Sequence, residues 1–167
     1  MTKATGPAMP SLTCGPYFSK WMAPRSERIY VFVTAADGNL YARFWNGSAW
    51  VWGNVGRPAP GMAGDPSAVA YRMGNQGRIN VFVRGLNGEL QEAWLSDASP
   101  DWSRFPWTWS VRGNFGGIAL ASSPEAVTWL QSGVRRLHVA QAGVNGQAFA
   151  NEWDGSRWRW TPRGTPS

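Results

Sequence analysis

The chain has 167 residues, 43% of them hydrophobic, and a formal net charge of +6. This apolar fraction is enough for a packed core, which excludes an intrinsically disordered protein. No apolar run approaches the roughly 20 residues of a membrane helix, and the N-terminal residues lack the apolar stretch of a secretory signal, so we expect a chain that is cytoplasmic as encoded, with any release by a non-classical route.

Three copies of one pattern follow one another along the chain. They start at Pro16, Pro66 and Pro124, so the offsets are 50 and 58 residues. Five residues after each proline comes an aromatic (Trp21, Tyr71, Trp129), and twelve residues after it an arginine (Arg28, Arg78, Arg136). Each copy then has a run ending in a turn glycine (Gly38, Gly88, Gly146), a run closed by tryptophan (Trp45, Trp94, Trp153) and a tryptophan pair (Trp50 and Trp52, Trp107 and Trp109, Trp158 and Trp160). Repeats of this length, rich in glycine turns and strand formers, are typical of propellers and arrays.

Each copy is predicted to form four antiparallel strands, the blade of a β-propeller. The runs at 29–33 and 79–83 are apolar on both strand faces, as expected for sheets sandwiched between neighbours. Asp37-Gly38, Asn87-Gly88 and Asn145-Gly146 predict type I′ hairpins between strands, and the extra residues at 95–107 predict a longer rim loop. The prediction is an all-β chain with no helix, one domain over 1–167, with blades at about 10–60, 61–117 and 118–167.

Three blades are too few to close a ring, because propellers typically have four to eight. Two copies would supply six, so we expect a homodimer in which the first and third blades meet across both interfaces. The alternative is that the chain is a fragment of a longer repeat array.

The residues that could bind metals or nucleic acids are few or scattered. Cys14 is the single cysteine and His138 the single histidine, so neither an internal disulfide nor a Cys/His zinc cluster can form within one chain. The arginines are spread one or a few per repeat instead of forming a basic arm, so specific nucleic-acid binding is not expected. We expect no cofactor and no metal.

The repeated aromatics and arginines are the candidate binding residues. Sugar recognition needs an aromatic face for the C–H patch of a pyranose and planar polar groups that fix the hydroxyl directions. The candidates are Trp50, Trp52, Trp107, Trp109, Trp158, Trp160, Trp21, Tyr71, Trp129, Arg28, Arg78 and Arg136. Each could equally be structural, the tryptophans as core and the arginines as strand-end charges lying over aromatics. For Trp45, Trp94 and Trp153, packing between blades is the favoured interpretation.

The segments SPEAVTW, RINVFVRGLNGEL and EWDGSRWRW resemble the repeat of the bacterial propeller lectins typified by the Photorhabdus fucose-binding lectin, over roughly residues 10 to 165. This resemblance implies a propeller that binds fucose or O-methylated sugars at sites repeated between blades, without catalysis or a required metal. A more distant resemblance is to the six-bladed fungal and bacterial fucose lectins, whose pattern places an arginine and a glutamate around each sugar. Glu92 falls near the matching place, and Ala42 and Ala150 occupy it in the other copies.

Two other functions remain open. A propeller can be a protein-interaction scaffold that binds no sugar, or a glycoside hydrolase, which needs two carboxylates roughly 5 to 10 Å apart. No acidic pair in a non-repeating motif is evident. His138 takes the place of Tyr30 and Asn80 in the other copies, which favours a repeat variant over a catalytic base.

Overall fold

The computed structural model describes residues 17–23, 26–46, 48–74, 76–96 and 107–166, with side chains from residue 29 onward. Within these residues, twelve strands form three four-stranded antiparallel sheets, each in simple chain order. Blade 1 consists of β1 (Tyr17–Ala23), β2 (Ser26–Thr34), β3 (Leu40–Trp45) and β4 (Trp50–Gly56). Blade 2 consists of β5 (Met62–Met73), β6 (Gln76–Gly85), β7 (Leu90–Ser96) and β8 (Thr108–Gly113). Blade 3 consists of β9 (Glu125–Gln131), β10 (Val134–Ala142), β11 (Ala148–Trp153) and β12 (Trp158–Gly164).

The predicted all-β fold of three four-stranded blades is confirmed. Within the described ranges there is no helix long and apolar enough to cross a membrane. The side chains of Trp21 and Arg28, Cys14 itself and most of the predicted rim loop lie outside the described residues.

The three blades have the same strand register. Trp21 pairs with Arg28, Tyr71 with Arg78, and Trp129 with Arg136. The first strands of the sheets pack against one another, β1 on β5 and β5 on β9, and therefore lie innermost. Because the register is constant, any residue of one blade can be compared with its counterparts in the other two.

The core lies between the blades, as the doubly apolar central strands predict. One cluster fills the junction of blades 1 and 2, where Phe32 and Phe44 of blade 1 meet Ile79 and Val81 of blade 2. A second fills the junction of blades 2 and 3, where Phe82 of blade 2 lies among Leu137 and Val139 of blade 3. Blade 2 thus presents one face to blade 1 and the other to blade 3.

The turns between the second and third strands differ from the predicted type I′ form. Type I′ needs positive φ at both central residues. Here Gly38 has φ +78° while Asp37 does not have positive φ, and Gly38 donates to the carbonyl of Ala35 across 2.9 Å. The loop is a three-residue turn ending in a left-handed glycine, and Gly88 and Gly146 repeat it. The type I′ prediction was wrong because the adjacent Asx side chain caps the loop instead, as Asp37 Oδ1 does for the amide of Asn39 at 3.0 Å.

Two of these glycines allow a matched stability test. Both have left-handed backbones, with φ +74° at Gly88 and +78° at Gly146. A Cβ at Gly88 would lie 2.7 Å from Ala119 Cβ, whereas a Cβ at Gly146 would meet nothing within 4 Å. We expect Gly146→Ala to cost about 1–2 kcal/mol from backbone strain alone, and Gly88→Ala about 1–3 kcal/mol more from overpacking. Urea denaturation measures both, and equal losses would contradict the tight contact at Ala119.

Trp94 is not the structural equivalent of Trp45 and Trp153, with which the sequence pattern aligned it; the register places it one residue earlier. It pairs with Asn80, and its counterparts are Phe44, opposite Tyr30, and Glu152, opposite His138. The counterpart of Trp45 and Trp153 in blade 2 is therefore Leu95. Since alternate residues face opposite sides of a strand, Trp94 lies on the other face of its sheet from Trp45 and Trp153 in theirs.

The hairpin between β11 and β12 carries the largest shift of a carboxyl pKa in the described chain. Asp154 Oδ1 accepts hydrogen bonds from the hydroxyl and amide of Ser156 and from the amide of Arg157, at 2.7, 2.9 and 2.9 Å. These bonds, that of the Ser156 hydroxyl foremost, lower the pKa of Asp154 from 3.8 to about 2. In blade 1 the uncharged Asn46 accepts the corresponding three bonds.

Because Asp154 and Asn46 accept the same three hydrogen bonds, exchanging one residue type for the other should preserve the turn but change how stability depends on pH. The ionised Asp154 stabilises the fold above its unfolded pKa of 3.8, and that contribution is lost as the pH falls through about 2. We expect Asp154→Asn to melt close to wild type at pH 7 and to lose less of its melting temperature between pH 4 and pH 2. The reverse change, Asn46→Asp, should add an acid-dependent loss. Melting curves at the three pH values test both, and parallel pH profiles for all three proteins would contradict this role of the turn.

Candidate functional site

A cleft of about 190 Å³ opens between blades 2 and 3. It is lined by Tyr71, Met73, Arg78, Asn80, Glu92 and Arg112 of blade 2 and by Trp153 and Trp158 of blade 3. Pockets for drug-sized ligands hold roughly 300–1,000 Å³. The cleft therefore suits a smaller ligand, of the size of a single sugar ring.

The polar wall of the cleft is centred on Glu92, whose side chain is fully buried. Arg112 binds one carboxylate oxygen, with Nε donating across 2.8 Å and Nη2 also in contact, while Asn80 Nδ2 donates to the other oxygen. The three residues lie on adjacent strands β6, β7 and β8, so register alone brings them together. A buried carboxylate held from both sides is a fixed hydrogen-bond acceptor.

Arg78 and Asn80 bring unsatisfied polar atoms to this wall. The Arg78 guanidinium stacks on the Trp94 ring at 4.3 Å from its centroid. Neither Arg78 Nε nor Asn80 Oδ1 has a hydrogen-bond partner among the described residues, although both atoms are buried. Both atoms are therefore available for hydrogen bonds to a ligand in the cleft.

Tyr71 forms the inner end of the cleft. Burial raises the pKa of its hydroxyl to about 12, opposed by the neighbouring arginines, of which Arg78 contributes most. The phenol therefore stays protonated across the physiological range. It can donate a hydrogen bond but cannot act as a base at neutral pH.

The opposite wall is aromatic. Trp153 and Trp158 of blade 3 have ring centroids 5.8 Å apart, and Trp158 packs edge-on against Phe82 of blade 2. The Arg112 guanidinium lies 4.8 Å from the centroid of the Trp158 ring, so the same arginine contacts both walls. Because two guanidinium groups line the cleft with one carboxylate, its charged side chains sum to +1.

The structure brings three of the twelve sequence candidates into this cleft: Tyr71, Arg78 and Trp158. Trp107 packs edge-on against Phe32 in the junction of blades 1 and 2. Trp109 and Trp160 each fix a junction, because the indole of Trp109 donates to the Val55 carbonyl at 3.1 Å and that of Trp160 to the Arg112 carbonyl at 2.8 Å.

The other candidates with described side chains lie on the two outer faces of the three-blade stack. Trp50 and Trp52 lie on the face of blade 1 turned away from blade 2, where the chain has no preceding blade, and they are 43% and 37% exposed. Trp129, which is 42% exposed, lies on the corresponding free face of blade 3. Arg136 donates to the Asp154 carbonyl on that blade.

Five lining residues escaped the sequence analysis as binding candidates: Met73, Asn80, Glu92, Arg112 and Trp153. The sequence did contain a signal for Glu92, because this residue falls near the position of the glutamate in the six-bladed fungal and bacterial fucose lectins. Asn80 and Arg112 had none: Tyr30 and His138 stand at the position of Asn80, and Arg112 recurs as Arg163 in blade 3 but is replaced by Val55 in blade 1. Trp153 was predicted to be core, and it does pack on the second cluster while also lining the cleft.

No sequence-family model matches the chain, and no curated protein does. Solved structures do match. A fucose lectin from Kordia zhangzhouensis in complex with methyl-fucoside has a TM-score of 0.67 at 19% identity, over 89% of this chain and 99% of that one. The six-bladed β-propeller lectin of Aleuria aurantia has a TM-score of 0.63 at 19% identity, over 90% of this chain and 48% of that one. AofleA from Arthrobotrys oligospora has a TM-score of 0.61 at 21% identity, over 93% and 43%.

These similarities establish the fold as that of β-propeller lectins. The chain spans nearly the whole of the Kordia chain but about half of the Aleuria chain. Its three blades correspond in number to half of the six blades of the Aleuria lectin.

Proposed function

We propose that the protein is a carbohydrate-binding lectin that recognises fucose or a related O-methylated sugar in the cleft between blades 2 and 3. The observation that carries this proposal is the opposition of Arg78 and Glu92 to the paired rings of Trp153 and Trp158. A pyranose has an apolar C–H patch that suits the rings and hydroxyls that suit a fixed acceptor and a planar donor. A 6-deoxyhexose adds a methyl group, which packs more favourably against an aromatic wall than against a charged wall.

The structural neighbours support this ligand class. The structure of the Kordia lectin contains methyl-fucoside, and the Aleuria lectin recognises fucose. The narrower resemblance to the Photorhabdus lectin stays a prediction.

We infer binding without catalysis. Glu92 is the only carboxylate lining the described cleft, and hydrolysis of a glycosidic bond normally needs two. The charge-paired Glu92 is also poorly placed to donate a proton, since Arg112 and Asn80 occupy its oxygens. A chromogenic fucoside should show no turnover.

We further propose that two copies close into a six-bladed ring. The free face of blade 1 exposes Ile29, Trp45, Trp50 and Trp52, and their counterparts Leu137, Trp153, Trp158 and Trp160 form blade 3's side of the junction with blade 2. The free face of blade 3 exposes Val127 and Trp129, counterparts of the buried Val69 and Tyr71 on the other side of that junction. The two free faces thus carry the two halves of a contact that the chain already makes once.

Ring closure would also give several sites on one rigid body. A single shallow sugar site binds weakly, but several together engage clustered glycans with an avidity gain of roughly 10² to 10⁴. The competing possibility is that further blades belong to the same chain, as in the Aleuria lectin, of which this chain spans 48%.

The function is tested by titrating the protein with methyl-α-L-fucoside, with methyl-α-D-glucoside as the control sugar. A lectin should show a saturable change in tryptophan fluorescence and a higher melting temperature with the fucoside, because Trp153 and Trp158 line the site. Arg78→Ala should weaken both effects, whereas Val144→Ala, in an exposed turn, should not. No response to any of a panel of fucosides and O-methylated sugars would favour an interaction scaffold.

A further inference from the structure

The three blades present unequal residues at the positions that form the cleft. In the junction of blades 1 and 2, Tyr30, Ala42 and Val55 replace Asn80, Glu92 and Arg112. Tyr30 is fully buried and stacks on Phe32 and Phe44, with centroids 6.1 and 5.4 Å away. On the opposite side, Leu95 and Trp107 stand where Trp153 and Trp158 stand in blade 3. Among the residues whose side chains are described, this junction is packed with apolar side chains and has no carboxylate–arginine pair.

The free face of blade 3 has a polar set of its own. Arg136 and His138 stand at the positions of Arg78 and Asn80. Ala150 stands at the position of Glu92, but a carboxylate returns two residues further on, at Glu152.

Glu152, like Glu92, has donors on both carboxylate oxygens, although its side chain is 31% exposed and that of Glu92 is buried. Arg163, the counterpart of Arg112, contacts one carboxylate oxygen, and the Thr161 hydroxyl donates to the other at 3.0 Å. His138 Nδ1 lies 3.8 Å from Glu152 across the strand pair. Blade 3 thus has a carboxylate, an arginine bound to it and a polar neighbour on its second strand, as blade 2 does. The carboxylate lies two residues closer to the β11–β12 turn than Glu92 lies to the β7–β8 loop.

This face also repeats the pattern of orphaned atoms. Arg136 Nε and His138 Nε2 are buried without a hydrogen-bond partner among the described residues, at the positions where Arg78 Nε and Asn80 Oδ1 are orphaned. Burial lowers the pKa of His138, opposed by Glu152, which keeps the imidazole neutral near pH 7 and able to accept or donate a hydrogen bond.

Blade 1 carries the kind of aromatic wall that would complete this polar set on blade 3. Trp45 and Trp50 are the counterparts of Trp153 and Trp158, and their centroids are 6.1 Å apart, against 5.8 Å in the cleft. Both are exposed in the single chain. The described part of the chain thus has two tryptophan walls and two carboxylate–arginine sets, of which one wall and one set meet in the cleft between blades 2 and 3.

We propose that the second wall and the second set meet between two copies. Arg136, His138, Glu152 and Arg163 of one copy, with Trp129, would form a second site for a neutral sugar of the same class, closed by Trp45 and Trp50 of the other copy. This inference rests on the proposed lectin function and on ring closure. It assigns each chain two sugar sites, one internal and one shared, and leaves the junction of blades 1 and 2 empty.

Calorimetric stoichiometry with methyl-α-L-fucoside separates the possibilities. We expect two sugars per chain for the wild type, one for Glu92→Gln, one for Glu152→Gln and none for the double variant. Glu89→Gln, a carboxylate in the β6–β7 turn, is the matched control and should keep both. One site per chain that is lost in Glu92→Gln and unaffected by Glu152→Gln would overturn the second site but leave the lectin. A wild type that binds nothing would instead overturn the lectin function itself.

The sharing of the site between copies has its own test. In the Glu92→Gln background, adding either Glu152→Gln or Trp45→Leu should abolish binding; leucine is what blade 2 has at that position, so packing is preserved. A heterodimer of these two proteins, purified through two different tags, has one junction with Glu152 and Trp45 both intact. It should bind one sugar per dimer, and a heterodimer that binds none would overturn the shared arrangement.

Discussion

Replacing Glu92 by alanine, the residue of blades 1 and 3 at this position, is expected to abolish fucoside binding in the internal cleft and to destabilise the protein by about 3 kcal/mol. The binding loss follows from removal of the fixed acceptor. The stability loss follows because Arg112 and Asn80 would lose the partner that they now share in a fully buried position. Urea denaturation and calorimetry measure the two effects on the same samples.

A second variant separates binding from stability. Glu92→Ala combined with Arg112→Val reproduces the pair found in blade 1, Ala42 and Val55, which packs without charge. Replacing a buried ion pair by apolar residues is often neutral, so the double variant should recover most of the lost stability. It should still not bind at the internal cleft. A double variant that binds as wild type would show that Glu92 holds the fold and not the sugar.

The division into blades and strands could be predicted from the sequence because the same residue pattern occurs three times. The same proline, aromatic, arginine and glycine in each copy indicated four strands per blade, and the pairing of Tyr71 with Arg78 recurs as Trp129 with Arg136. The turn type was not predictable from an Asx-Gly dipeptide alone, since it depends on whether the residue before the glycine also adopts positive φ. At Asp37 it does not.

The binding site was harder to predict for the opposite reason. Asn80, Glu92 and Arg112 each occupy a position at which the blades differ, so a search for repeated residues passes over them. Most of the repeated tryptophans proved to be junction residues, as the indole bonds of Trp109 and Trp160 illustrate. The cleft therefore combines recurring residues, Tyr71, Arg78 and Trp158, with a polar set that distinguishes blade 2 from blade 1.

The free faces lead to the second large expected effect, the dissociation of the dimer by Trp52→Glu. Trp109 and Trp160 each donate an indole hydrogen bond to the residue before the last glycine of the preceding blade, Val55 and Arg112. Trp52 is their counterpart in blade 1, and in a closed ring its acceptor would be the Arg163 carbonyl of the second copy. A carboxylate at this place would lose the indole hydrogen bond and the apolar contact, and it would have to be desolvated on association even when paired with Arg43, whose guanidinium lies 5.4 Å from the centroid of the Trp52 ring. Because desolvation of a buried ion pair can exceed its Coulombic gain, association should be strongly weakened.

Light scattering coupled to size exclusion should give about 37 kDa for the wild type, twice the 18.4 kDa chain, and 18.4 kDa for Trp52→Glu. Trp52→Phe keeps an apolar ring but loses the hydrogen bond at both junctions between the copies, so it should still form dimers, with a dissociation constant raised roughly 30-fold, the equivalent of about 1 kcal/mol for each of two ordinary hydrogen bonds. Val144→Glu, an equally drastic change at a 68% exposed turn, should remain dimeric. A monomeric wild type would exclude the two-chain ring and with it the shared site. The internal cleft would remain, because both of its walls belong to a single chain.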